Sequence, residues 1–253
     1  MLIVGLDAAS DLRNFGYALG RYETGRAVAI ESFGLLAVGT SPDEMKDVLV
    51  SAIHRESSAL LAIDAPLGWP QALGARLVRH SAGAALPESK EQLFRRRTDR
   101  ALMERTGKGP LEVGADRIAR AAHRALDVLN RLRAATGRAI PLAWTPTLDG
   151  TAVIEVYPAA TLRSRGVREP GYKRPESLDA RRRIAESLAG ELPGLADAVA
   201  ASDHAFDACL CLLAAKDFLD GTAVPPTVDE SGSAVKEGWI WVRQTNEPEG
   251  SVR

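Results

Sequence analysis

Cysteine, aromatic residues and any dominant sign of charge are all scarce in this chain, and each scarcity removes a class of protein. Its two cysteines, Cys209 and Cys211, lie in a stretch that reads as a helix, where positions i and i+2 point apart. A disulfide framework is thereby excluded, a thiolate zinc site lacks ligands, and both residues read as small packing groups. With 32 Lys and Arg against 33 Asp and Glu the formal net charge is −1, so the whole molecule does not attract nucleic acid and any basic surface must be local. Long hydrophobic runs are missing too. The apolar opening of residues 2–6 is cut short by Asp7 and has no basic flank, so it is neither a secretion signal nor a membrane span. A soluble, cytoplasmic protein with no membrane partner is expected.

What is present, 45% hydrophobic and 26% charged residues over 253 positions, is ordinary globular composition, and no repeat or low-complexity tract divides it. One domain over residues 1–253 is the simplest reading. Residues 2–6 form a short apolar run of strand type that exits at Asp7, and residues 15–22 and 27–38 are aromatic or β-branched stretches parted by Thr24-Gly25, as in a hairpin. Ser41-Pro42-Asp43-Glu44 is a helix start signal for an amphipathic crossover reaching about Arg55. A fourth apolar run, 59–63, again ends at an aspartate, Asp64, and is broken by Pro66-Leu67-Gly68-Trp69-Pro70. From about 71 to 148 the texture is Ala, Arg and Leu at helical spacing, clearest where Ile118, Ala122, Ala125, Leu129 and Leu132 share a face. A fifth strand follows at 151–157, the last long helix spans 203–219, and residues 238–242 form a closing aromatic run. That order predicts an α/β fold with one mixed sheet and a helical insertion between strands four and five.

Asp7 and Asp64 therefore stand at the C-terminal ends of two strands, the rim where ligands of open α/β sheets collect. Asp203 and Asp207, four apart at the start of a helix, share one face with about 5–6 Å between Cβ atoms. Taken singly, Asp7 or Asp64 can serve as a turn residue and Asp203 as a helix cap. Asp207 is different, because it sits among apolar residues and needs a partner if it faces inward. Four aspartates converging on one point read as a site for a hard divalent cation, Mg2+ or Mn2+. Glu155, within an apolar strand, can join that rim, face solvent, or meet an arginine of the insertion.

Six ordered motifs then resemble one family. They are Gly5-Leu6-Asp7-Ala8 with Gly16-Tyr17, residues 63–70 from Ile63-Asp64-Ala65 to Trp69-Pro70, Arg97-Thr98-Asp99-Arg100, Glu155-Val156-Tyr157-Pro158, Asp203 with Asp207 and Ala208, and Glu237-Gly238-Trp239-Ile240-Trp241. Together they resemble the domain-of-unknown-function 429 family over nearly the whole chain. The resemblance implies an RNase H-like fold, a five-stranded mixed sheet flanked by helices, and nuclease activity. Its catalytic acids would come from strand one, strand four and the last helix, the places of Asp7, Asp64, Asp203 and Asp207. The arrangement is similar to Holliday-junction resolvases, whose final-helix acids are usually three apart. Thr98 stands where the family commonly has cysteine, and Asn14-Phe15-Gly16-Tyr17 replaces a Gly-Gly-Trp loop; neither change removes a carboxylate.

On this reading Asp7 bridges two ions, Asp64 and Asp207 hold one each, Asp203 or Glu155 completes a shell, and phosphodiester bonds of nucleic acid are hydrolysed in line. Residues 90–138 carry thirteen Lys and Arg against six acids, and Arg96, Arg97, Arg100, Arg117, Arg120 and Arg124 are the expected backbone contacts; a solvated helix face is the plainer alternative. Two rival functions remain at this point. One is a phosphotransferase of the actin and sugar-kinase type, which asks for a Gly-rich loop after strand one where this chain has Asp7-Ala8-Ala9-Ser10-Asp11. The other is a non-catalytic RNase H-like binding protein.

Overall fold

The computed structural model describes residues 1–36, 46–114 and 116–244. Strand β1 (Leu2–Asp7) is buried along its whole length because it lies mid-sheet, antiparallel to β2 (Gly16–Arg21) and parallel to β4 (Ala59–Asp64). β3 (Ala29–Leu35) pairs antiparallel with β2, and β5 (Thr151–Glu155) parallel with β4, giving the order β3-β2-β1-β4-β5. This is a mixed five-stranded sheet, as the order of elements in the sequence predicts. The start signal at Ser41 lies outside the described residues; its helix is seen from a π-helical turn, Lys46–Val50, into α1 (Ser51–His54).

Period-two alternation sends side chains of each strand to opposite faces, and the two hydrophobic cores sort them. Leu2, Val4 and Leu6 of β1, with Leu61 and Ile63 of β4, join the core formed with α5 (Asp116–Thr136), where Ala125, Leu129 and Leu132 of the expected helix face are buried. Ile3 of β1, with Leu60 and Ala62 of β4, joins the core on the opposite face with α8 (Asp203–Leu219). Continuing the alternation, Asp7 follows Ile3 and Asp64 follows Ala62 onto the α8 face. In β5, Ala152 and Ile154 pack with α8, whereas Val153 belongs to the α5 core, so Glu155, the register partner of Ile63, falls on the α5 face.

The insertion holds α2 (Gln71–Leu77), α3 (Lys90–Phe94), α4 (Arg97–Thr106) and α5. β5 stops two residues earlier than the sequence pattern, because Tyr157 caps α6 (Pro158–Arg163) with Pro158 in its first turn. α7 (Leu178–Ser187), α8 and α9 (Val228–Glu237) follow. The closing aromatic run buries Trp239 and Trp241 and bridges to the sheet at Ile240, opposite Glu155. Both cysteines are free and buried in α8, as packing residues.

α8 rests on the sheet backbone to backbone. A Cβ on Gly5 would lie 2.0 Å from the Ala208 carbonyl oxygen, and one on Gly16 would lie 2.0 Å from that of His204. Only glycine admits that approach. Gly5→Ala is accordingly expected to lower stability by about 3 kcal/mol or more, since the clashing atom is helix backbone. Gly74→Ala, in α2 with nothing within 4 Å, should raise stability by about 0.5–1 kcal/mol. Chemical denaturation of the two variants checks the pair.

Candidate active site

Asp7 and Asp64 are direct register partners at the ends of two parallel strands, and both point to the α8 face. α8 starts at Ser202, whose hydroxyl accepts the Ala205 N–H at 3.1 Å, and its second turn delivers Asp207 above them. One carboxylate oxygen from each of Asp7, Asp64 and Asp207 lies within 4.8 Å of the others. At such separations each like-charged pair repels by roughly 3–4 kcal/mol at an effective dielectric constant near 20. The site therefore calls for positive charge.

Two side chains supply some of it. Lys173 forms an ion pair with Oδ2 of Asp207, and His204 Nδ1 is paired with Oδ2 of Asp7. Tyr172 donates its hydroxyl proton to Oδ1 of Asp207 at 2.8 Å. Neutralisation is partial. Burial, then the charge of Asp7, holds the Asp64 carboxyl well above the usual carboxylate range despite Lys173. Burial also raises Asp207, with Lys173 and Tyr172 pulling against it. The hydrogen bond to Asp7 raises His204 above an ordinary imidazole, favouring its charged form. Asp207 is buried, with Oδ1 bonded by Tyr172 and Oδ2 paired with Lys173.

Tyr172, Lys173 and His204 escaped the sequence reading. His204 carried a weak signal, an imidazole between two acids at a helix start. Tyr172 and Lys173 carried none, since they sit in a polar segment without periodicity and reach Asp207 across more than thirty residues.

Asp203 is not in the trio. It is the first residue of α8, following the cap rather than forming it, and lines the cleft beside His204. Glu155 belongs to a separate knot on the other face of the sheet. Its carboxylate takes a two-pronged pair from Arg96, at 2.7 and 2.9 Å, and the Leu67 N–H at 3.0 Å. Of the three sequence alternatives for Glu155, the arginine of the insertion is the partner observed, and the metal rim is not. Arg96 differs from expectation for the same reason: it is only 1% exposed, and its guanidinium also holds Asp99 at 2.7 Å and the Glu237 carbonyl at 3.0 Å. A side chain enclosed in this way is not offered to a phosphate backbone.

The other expected contacts lie outside the cleft. Arg97 pairs with Glu230 at 3.1 Å, and Arg100 donates to the Glu91 and Arg95 carbonyls. Arg120 pairs with Asp116 at 3.0 Å, Arg124 meets Asp127 at 3.8 Å, and Arg117 is exposed on the same helix. The cations that do line the cleft are Lys108, Arg163, Arg168 and Lys173. Thr98, the departure from the family motif, has a local role, its hydroxyl accepting the Ile240 N–H at 2.8 Å.

Two outcomes are expected. Arg96→Met strands Glu155 and Asp99 as buried charges and should destabilise the fold by about 3–5 kcal/mol in urea titrations. Asp64→Asn relieves repulsion in the metal-free chain and should stabilise it by on the order of 1 kcal/mol at neutral pH. Because folding raises the Asp64 pKa, the folded state binds its proton more tightly; the penalty exists above that raised value and disappears below the ordinary value of 3.8, so the gain in Asp64→Asn should fade as pH falls through this window. Thermal melts with chelator across pH measure it.

No curated protein matches the chain. A solved structure described as T. thermophilus RuvC in complex with Holliday junction substrate is similar to it at 14% identity and a TM-score of 0.39, covering 89% of this chain and 99% of that one. The family described as Protein of unknown function (DUF429) matches residues 20–231, a stretch that includes Asp64, Asp203 and Asp207 and starts after Asp7. Matched over most of its length, the chain belongs to the DUF429 family.

Proposed function

We propose that this chain is a divalent-metal-dependent nuclease, hydrolysing phosphodiester bonds of nucleic acid with Asp7, Asp64 and Asp207 as its central ligands. The observation that carries the reading is the meeting of three carboxylates from β1, β4 and α8 within 4.8 Å. The donor set fits the ion: all-oxygen, acidic and hard, it suits Mg2+ or Mn2+ and not a thiophilic metal. When bound, a pair of such ions activates water for in-line attack on phosphorus and stabilises the leaving oxygen.

The chain's own groups have separable tasks. Asp7, in the central strand and close to both Asp64 and Asp207, would hold the metal together with them in this reading. Asp203, which lines the cleft, completes the rim in this reading, and Glu155 is left out of the set. His204 orients the Asp7 carboxylate through its Nδ1. Lys173 offsets the charge of Asp207, and its side chain, 46% exposed, also reaches the solvent side where a phosphate would enter. Among the described residues no helix is long and apolar enough to cross a membrane. A cytoplasmic setting belongs to the proposal, supported by two unpaired thiols in the core.

The test is cleavage of labelled single-stranded, duplex and branched DNA and RNA with Mg2+ or Mn2+. Cleavage abolished by chelator is expected, with Asp7→Asn lowering the rate by roughly 100-fold or more, the equivalent of losing several kcal/mol of charge stabilisation. An Asp7→Asn variant as active as the parent would overturn the reading.

A further inference from the structure

The cleft is lined in part by Asp7, Asp64 and Asp203, which do not account for the rest. Its volume is about 860 Å³, within the roughly 300–1,000 Å³ of pockets that enclose a small organic ligand. Its apolar wall residues include Pro66, Pro110, Leu111, Ile118, Tyr157 and Val167, and most of the lining is apolar. Leu111 is 71% exposed although the fold gives it no packing task. A clamp for phosphates alone has no use for such a wall, whereas the flat apolar face of a nucleobase does. Lys108, Arg163, Arg168 and Lys173 stand around the same space, so the cleft offers an apolar seat and cations together. Meanwhile the arginines of the insertion helices, which would track the backbone of a long duplex, are turned to acids and carbonyls or lie outside the cleft.

We propose that the cleft receives one unpaired nucleotide, its base against the wall around Leu111 and its phosphate toward the acids, so that the preferred substrate is a single-stranded end or short oligonucleotide. The proposal rests on the metal-dependent phosphodiesterase reading and deepens it by naming the substrate class. An intact duplex keeps its bases stacked, and only an extruded or single-stranded nucleotide enters a pocket of this kind. The reaction adds water across one P–O ester bond: the water oxygen bonds to phosphorus, the ester oxygen departs and takes a proton, and a phosphomonoester and an alcohol result.

The experiment uses the full chain with Mn2+ and compares an oligothymidylate with a blunt duplex of equal strand length, alongside a calorimetric titration with Mn2+ alone. Oligothymidylate is expected to be cleaved at least about tenfold faster. Leu111→Asp, at an exposed position the fold tolerates, should cut kcat/KM for oligothymidylate by about tenfold or more while Mn2+ affinity and melting temperature stay at parental values, and Leu111→Phe should restore cleavage. If Mn2+ binds but duplex is cut as fast as oligothymidylate, or Leu111→Asp has no effect, the pocket assignment is overturned and the metal reading stands. If the parent chain binds no Mn2+, the reading beneath it falls as well.

Discussion

The close contact between α8 and the first two strands is the constraint on which the site depends. Gly5 and Gly16 remove the side chains that would hold the helix off the sheet, and the helix backbone settles against them at His204 and Ala208. These two residues flank Asp207 along the helix. With ordinary side chains at the glycines, the helix would stand further away and Asp207 would no longer share a point with Asp7 and Asp64. Packing and chemistry are thus set by the same atoms.

Much of this was legible in the chain itself because it follows from short-range patterns. Two apolar runs that each end at an aspartate placed Asp7 and Asp64 at strand ends, and parallel pairing put them in register. An acid inside the otherwise apolar helix marked Asp207. Glu155 shows where such patterns stop. Alternation grouped it with Val153, but which face Val153 takes is decided by tertiary packing, and that face belongs to α5. The basic excess of residues 90–138 was similarly real as composition and silent about direction: Arg96 turns inward, and others meet nearby acids. Charge counts carry no vector.

Electrostatically the site is held short of balance. Lys173 and His204 each attend one carboxylate, while Asp64 has neither as a direct partner and its carboxyl is held above the usual range by desolvation and the charge of Asp7. Functional sites commonly carry such strain, which the surrounding fold must outweigh. Here the outweighing comes from the two cores on either side of the sheet, whose residues fill both faces of β1 and β4.

The knot around Arg96 has a consequence for how the chain comes together. Glu155 fixes the turn after β4 through Leu67, Arg96 of the insertion fixes Glu155, and Glu237 accepts the N–H groups of Gln71 and Arg97 at 2.7 and 2.6 Å. Partners separated by 59 to 166 positions must all be present before the loop beyond Asp64 is held. Loop-closure entropy opposes contacts of that span until late in folding. During synthesis, then, the strand carrying Asp64 can pair early while its exit stays loose, and the acidic pocket acquires its final shape only once residues near 237 have emerged.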